Sequence, residues 1–177
     1  MSLKTNFELM ASYNQRMNKN IYEAASKLSH NELSENRGAF FKSIIGTLNH
    51  ILVGDTIWLK RFSNHPSQLR ALDYVRSLQS PQSLDIILHP EFDSLLEQRI
   101  KMDCIILDFT HELSEEILSS ALSYSNTKGK SFSKNFGLLI QHFFNHQTHH
   151  RGQLSTLLSQ AGLDIGITDL LICIPNE

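Results

Sequence analysis

Apolar residues recur every three or four positions over four stretches of the chain, and the rhythm fails between them. Phe7, Met10, Met17, Ile21, Ala24, Ala25 and Leu28 form one stripe, with Tyr13 and Asn14 between, which predicts a helix over Leu3–Leu28. Polar breaks follow at Ser29-His30-Asn31-Glu32 and Asn36-Arg37-Gly38. Ile44, Ile45, Leu48, Leu52, Trp58 and Leu59 give a second helix, Ala39–Phe62, a broad apolar face. Phe92, Leu95, Leu96, Met102, Ile105, Ile106 and Phe109 do the same for Glu91–Leu113, and Ser114-Glu115-Glu116 then reads as the cap of a short turn. A fourth helix is expected over Lys134–Ala161, with Gly162 as its C′ residue.

The connections differ in kind. His65–Pro90, punctuated by Pro66, Pro81 and Pro90, is a long crossover in which pieces such as Leu84–Leu88 make single turns. Ser119–Ser133 alternates apolar and polar residues around Asn126-Thr127-Lys128-Gly129-Lys130, the pattern of a small β-hairpin or an extended loop. The tail, Asp164–Glu177, carries one apolar patch, Leu170-Leu171-Ile172, expected to pack back on the helices. Four helices with one long crossover and a hairpin-like insertion before the last helix describe an all-α four-helix bundle, one domain over 1–177. Such bundles often hold metals or cofactors between facing helices.

Composition narrows the functions. Hydrophobic residues make up 41% and charged residues 19%, a globular balance with a formal charge of -2. That charge gives no field for a nucleic-acid backbone, so no nucleic-acid partner is expected. No run of 18 apolar residues occurs, so no membrane span is expected. Two cysteines, Cys104 and Cys173, make neither a disulfide framework nor a Cys-rich zinc site. With no signal-like stretch over Met1–Asn6, a reduced cytoplasmic protein is the expectation.

Four of the nine histidines fall between positions 142 and 150. On a helix His146 and His150 differ by about 40° around the axis, so one ion can bind both. His142 and His146 have the same relation, and spacing alone does not choose. The apolar stripe does: steps of three and four link Leu139, Phe143, His146, His150, Leu154 and Leu157. Two imidazoles in an apolar stripe need hydrogen-bond partners or a metal. A third ligand from another helix is required, and His50 is the other histidine on a core stripe. Gly46 and Gly54 flank it four residues either way, which implies close approach on that face, either by a ligand group or by a packed helix. His30, His65, His89 and His111 lie near predicted helix ends or in loops and read as solvated or capping residues. Three neutral imidazoles with open positions suit Zn²⁺, Ni²⁺ or Fe²⁺ and a catalytic centre more than a structural one.

At these residues the sequence resembles the DinB family, the damage-inducible, YfiT-like metalloenzymes, over nearly its whole length. The resemblance rests on Ser12-Tyr13-Asn14 with Asn18 and Ile21-Tyr22-Glu23-Ala24-Ala25, on Arg37-Gly38-Ala39-Phe40-Phe41 through Gly46-Thr47-Leu48-Asn49-His50-Ile51-Leu52 with Asp55 and Trp58-Leu59, and on Asn145-His146-Gln147-Thr148-His149-His150-Arg151-Gly152-Gln153. It implies an up-down-down-up four-helix bundle, a homodimer, and His50, His146 and His150 as metal ligands. It also brings a superfamily of thiol-dependent transferases and isomerases that use bacillithiol, mycothiol or glutathione. Arg16 stands where relatives often carry tryptophan.

Arg151 either holds an anionic substrate or thiol cofactor, or ties its helix to a neighbouring acid. Asp55 lies about 140° from His50 around the helix and is not expected to be a fourth ligand. Asn49, Asn145 and Gln153 are candidates to orient the imidazoles, with capping or dimer contacts as the alternative. Trp58 reads as core or dimer interface, and Cys104 as a small buried hydrophobe. The functional expectation is a metal-dependent enzyme, a thiol-dependent transferase or a hydrolase, acting on a small molecule with its catalytic acid or base unnamed. The alternative is a non-catalytic, metal-bound dimeric protein of stress response or binding. Haem does not fit, because ligands at i and i+4 on one helix cannot take opposite faces of one iron.

Overall fold

In the computed structural model, which describes residues 2–126 and 128–176, the four periodic stretches are four long helices. Helix α1, Leu3–Ala25, starts where the Ser2 hydroxyl accepts from Thr5 N. The expected polar break does end it near Ser26, but the chain then rewinds: Ser29 and Glu32 form a capping box on a short α2, His30–Ser34. Helix α3, Ile44–Phe62, begins later than the Ala39 expected. Ser43 is its extended N-cap, with Oγ 3.1 Å from Gly46 N, and Ala39 to Lys42 close a tight turn instead. Lys42 sits at φ 68 there, a left-handed conformation that ends any regular helix.

The crossover winds at Arg70–Leu72 as a 3-10 turn and at α4, Asp73–Ser77, and makes a single turn at Leu84-Asp85 within the piece expected to turn. Helix α5 spans Phe92–Glu112, and Ser114 caps the short α6, Glu115–Ser119, as expected. Strands β1, Ala121–Ser125, and β2, Ser131–Asn135, pair antiparallel, Leu122 opposite Lys134 and Tyr124 opposite Phe132. The expected hairpin is therefore present, though Thr127 of its turn lies outside the described residues. Helix α7, Phe136–Gln160, ends at Gly162 with φ 79, where Leu163 N donates to Leu158 O. No helix among the described residues is long and apolar enough to cross a membrane.

Helix α1 packs on α5 and α7, and α3 packs on α7 and α5. At one end Phe62, Phe109, Phe136 and Phe143 meet edge-to-face or stacked, with Phe62 5.3 Å from Phe136 between ring centroids. Full burial of each such side chain stabilises by about 1.5–3 kcal/mol. Mid-helix the interior turns polar. Arg99 Nη1 donates to Asp55 Oδ2 at 2.5 Å, and Gln147 Nε2 donates to Asp55 Oδ1 at 2.9 Å. Asn14 and Asn18 donate to Asp103 Oδ1 at 3.2 and 2.8 Å, and Arg151 donates to Asn14. Every long helix contributes, and two carboxylates face two guanidiniums. The sequence reading of α5 missed this, because Arg99 and Asp103 lie on the face it assigned to apolar residues.

Three other expectations change. Cys104 is exposed rather than buried. His65 is buried rather than solvated, bonded to Ser67 and Ser120 at 2.7 and 2.8 Å and stacked on Phe136. The tail docks through Tyr13 Oη, which donates to Thr168 O at 2.6 Å, while Leu171 of its apolar patch stays 73% exposed.

Burial pushes Asp103 up to about 6 against the pull of Arg99, and burial raises Asp55 likewise. Removing Arg99 strands both carboxylates. Arg99→Met is expected to cost about 3–5 kcal/mol at pH 7. A carboxyl whose folded pKa is raised takes its proton in the folded state first, so acid favours folding there, and the loss should shrink between pH 7 and pH 5. Urea unfolding at both pH values checks this; a penalty that grows on acidification would contradict it.

Candidate metal centre

The α3–α7 contact is close because residue 54 has no side chain. A Cβ on Gly54 would stand 2.6 Å from His146 Cε1, so the imidazole of α7 rests on bare α3 backbone. Gly46 answers a different need: its Cβ would meet the Phe41 carbonyl oxygen at 2.2 Å. One glycine therefore admits a candidate ligand, and the other admits the turn before the helix.

His50 of α3 and His146 and His150 of α7 converge, each offering one ring nitrogen within 4.8 Å of the others. The hydrogen bonds fix which nitrogens are free. His50 Nδ1 lies 2.8 Å from Leu84 O, a pure acceptor, so Nδ1 carries the proton. His150 Nδ1 lies 2.9 Å from Gln153 Oε1, whose amide nitrogen is turned to His149 Nε2 at 3.3 Å, so this Nδ1 also donates. Both Nε2 atoms then hold lone pairs, and they face each other at 3.1 Å. Two lone pairs at that distance repel unless a cation lies between them. Nitrogens bound at 2.0–2.1 Å to one tetrahedral zinc stand about 3.3 Å apart, so the spacing suits a metal. His146 adds a buried Nδ1 with no hydrogen-bond partner. The donor set fits a divalent transition ion.

Electrostatics keep the nitrogens free. Burial, then the neighbouring imidazoles of His150 and His50, lowers His146 to about 3. Burial also holds His50 and His150 below the ordinary histidine range. All three are neutral at pH 7, the form that binds metal.

The neighbours sort the remaining candidates. His142 and His149 are exposed, as the stripe predicted. Gln153 orients His150, one of the two roles the sequence left open for it. Asn49 does not touch an imidazole; it clamps the crossover, with Nδ2 donating to His89 O and Oδ1 accepting from His89 N, both at 2.9 Å. Asp55 is spent on Arg99 and Gln147. Arg151 is 4% exposed and turned to Asn14 and Thr148, so what it makes here is a tie across helices, reaching Asp103 through Asn14. Trp58 is half-buried between Phe62, Tyr124 and His142. Two members had no identified role in the sequence. Phe41 stacks on His50 at 3.7 Å between ring centroids and turns its face or edge to His150 at 5.6 Å. The Leu84 carbonyl, a backbone group, has no residue signature at all.

The lowered His146 has a measurable consequence. Unfolded, it takes a proton near pH 6.5; folded, it resists until about pH 3. Stability from this group is therefore present above about pH 6.5 and lost as pH falls below it, opposite in sign to Asp103. Metal-free protein should lose stability between pH 7 and pH 5 more steeply than metal-free His146→Gln. Urea midpoints of the pair at both pH values report the difference, and parallel slopes would refute it.

The DinB family pattern matches residues 1–175. Protein DinB of Bacillus subtilis (strain 168) is 23% identical over 164 residues, covering 88% of this chain and 84% of that protein. No solved structure is a significant match. With that pattern running over nearly the whole chain, the chain belongs to the DinB family.

Proposed function

We propose that the chain is a metal-dependent enzyme, a transferase that uses a low-molecular-weight thiol or a hydrolase, acting on a small molecule. His50, His146 and His150 hold the ion, Zn²⁺ or Ni²⁺ in first place and Fe²⁺ after them. The observation that carries this is the pair of unprotonated Nε2 atoms 3.1 Å apart, each fixed by a bond on its other nitrogen. A divalent ion on three neutral imidazoles keeps its full charge and supplies a Lewis acid that activates a thiol or water near neutral pH.

The chain's own residues prepare the place. Leu84 O and Gln153 Oε1 hold the two Nδ1 protons, so the ligand rings cannot turn over. Phe41 lies flat on His50 and excludes water from that side. Asn49 holds the crossover that brings Leu84 in. An anion-holding role for Arg151 is not carried into the proposal, because the guanidinium is enclosed. We read the four long helices as an up-down-down-up bundle, with the long crossover between α3 and α5 joining two helices that run the same way. The chain is read as one domain, 1–177, working as a cytoplasmic homodimer.

Metal analysis of protein purified without an affinity tag should find about one divalent ion per chain. Light scattering on the same samples should give twice the 20.2 kDa chain mass. Loss of the ion is expected for His50→Ala, His146→Ala and His150→Ala, but not for His142→Ala or His149→Ala. Gly54→Ala pushes against His146 and should weaken metal affinity about 10–100-fold, the usual effect of disturbing a ligand's support. Full metal in all three ligand variants would overturn the assignment.

The chemistry is tested by loading Co²⁺ and titrating with bacillithiol, mycothiol, glutathione and cysteine. Sulfur coordination should bring an intense near-ultraviolet charge-transfer band, and conjugation to a model electrophile should depend on the three histidines. No band with any thiol, and metal-independent conjugation, would remove the thiol reading.

A further inference from the structure

On the far side of the molecule from the α3–α7 contact, α1 and α5 leave a cavity of about 400 Å³ between them. None of the three converging histidines lines it. The volume falls in the usual range of small-molecule pockets, about 300–1,000 Å³. Leu96, Ile100 and the ring of Tyr22 make apolar walls, and Ile100 is 56% exposed at the mouth. Arg99 and Asp103 of the interior polar cluster line it too.

Two of these side chains are buried with hydrogen-bonding capacity unused. Tyr22 is 3% exposed and its hydroxyl has no partner. Arg99 is 2% exposed; Nη1 is bonded to Asp55, but Nε has no partner. Its Nη2 lies 3.0 Å from Asp103 Oδ1, close enough for charge pairing but off the line of a hydrogen bond. Buried donors left unpaired are costly and rare. Solvent reaches neither the Tyr22 hydroxyl nor Arg99 Nε, so an acceptor entering from the cavity partners them only when the side chains of its floor shift aside to admit it.

We propose that the α1–α5 cavity is a second binding site, for a small uncharged molecule with an apolar body and a carbonyl-type hydrogen-bond acceptor. Arg99 Nε is a donor only, and the Tyr22 hydroxyl can donate, so both are served by an acceptor. Charge decides against an anion: Asp55 and Asp103 already balance Arg99 and Arg151, and a further carboxylate would meet Asp103 with no unpaired cation among the described lining residues. A cationic ligand would meet the Arg99 guanidinium. The rim is balanced as well, with Lys19 Nζ 3.8 Å from Glu23 Oε1. The apolar walls take the body of the ligand.

Benzamide is the probe, compared with benzoate and benzylamine by ligand-observed and ¹⁵N chemical-shift NMR on the full chain. Benzamide should bind at least about tenfold more tightly than either charged analogue, with shifts centred on Tyr22, Leu96 and Ile100. Tyr22→Phe removes the unpartnered hydroxyl. It should leave the free protein as stable as wild type or more so, yet weaken benzamide about fivefold. Ile100→Trp closes the exposed mouth without touching the polar floor and should abolish binding. His50→Ala should bind benzamide as wild type does, which separates this site from the metal centre. The proposal is overturned by equal binding of the three probes, by shifts centred elsewhere, or by no saturation up to about 20 mM, where a fragment of ordinary efficiency saturates. A Tyr22→Phe variant that is destabilised and binds benzamide unchanged would overturn it equally, because the hydroxyl would then have an internal partner.

Discussion

The register of α3 against α7 rests on one buried hydrogen bond, Gln147 Nε2 to Asp55 Oδ1 at 2.9 Å. Each partner is the next residue along from a close contact between the helices, Gly54 under His146. A slide of one residue would turn Gln147 from Asp55 and drive His146 into a side chain. Asp55 is in turn held by Arg99 of α5, so the position of the candidate ligands depends on a charge pair between α3 and α5. That dependence is costly to break, because the carboxylate is fully buried and without Arg99 would have to take a proton.

Two polar interiors thus lie beside each other with opposite logic. Around Asp55, Arg99, Asp103 and Arg151, charges cancel within the protein and hydrogen bonds link all four long helices. Around His50, His146 and His150 nothing cancels: the rings are neutral, and their free lone pairs converge. The first arrangement is complete apart from a few unused donors and the Gln147 Oε1 acceptor, and the second calls for a positive charge from outside. A buried cluster of the first kind specifies one helix arrangement, and the second uses that arrangement.

The irregular segments complete the histidine site. The crossover supplies the Leu84 carbonyl and is pinned by Asn49 at His89. The turn before α3 supplies Phe41, and it comes close enough only because residue 46 is glycine. Helices bring the ligands together; the crossover settles the His50 tautomer, Gln153 of α7 settles that of His150, and the turn before α3 covers His50.

Much of this was legible in the chain. The 3.6-residue period gives the four long helices, Gly162 stops the last one, and the stripe Leu139, Phe143, His146, His150, Leu154 singles out two of the four clustered histidines. The choice of His50 and the warning from its flanking glycines came from the same periodicity. Three things were decided only by the tertiary structure. Arg99 and Asp103 sit on an inward face that a hydropathy pattern assigns to apolar residues, because their burial is made tolerable by partners on other helices. The start of α3 moved to Ile44 because a Ser43 cap and a left-handed Lys42 outweigh an apolar rhythm. The protons on the His50 and His150 imidazoles are set by a backbone carbonyl 34 residues away and by an amide oxygen three residues on, and only the first of these leaves no trace in sequence, since every residue carries the same carbonyl.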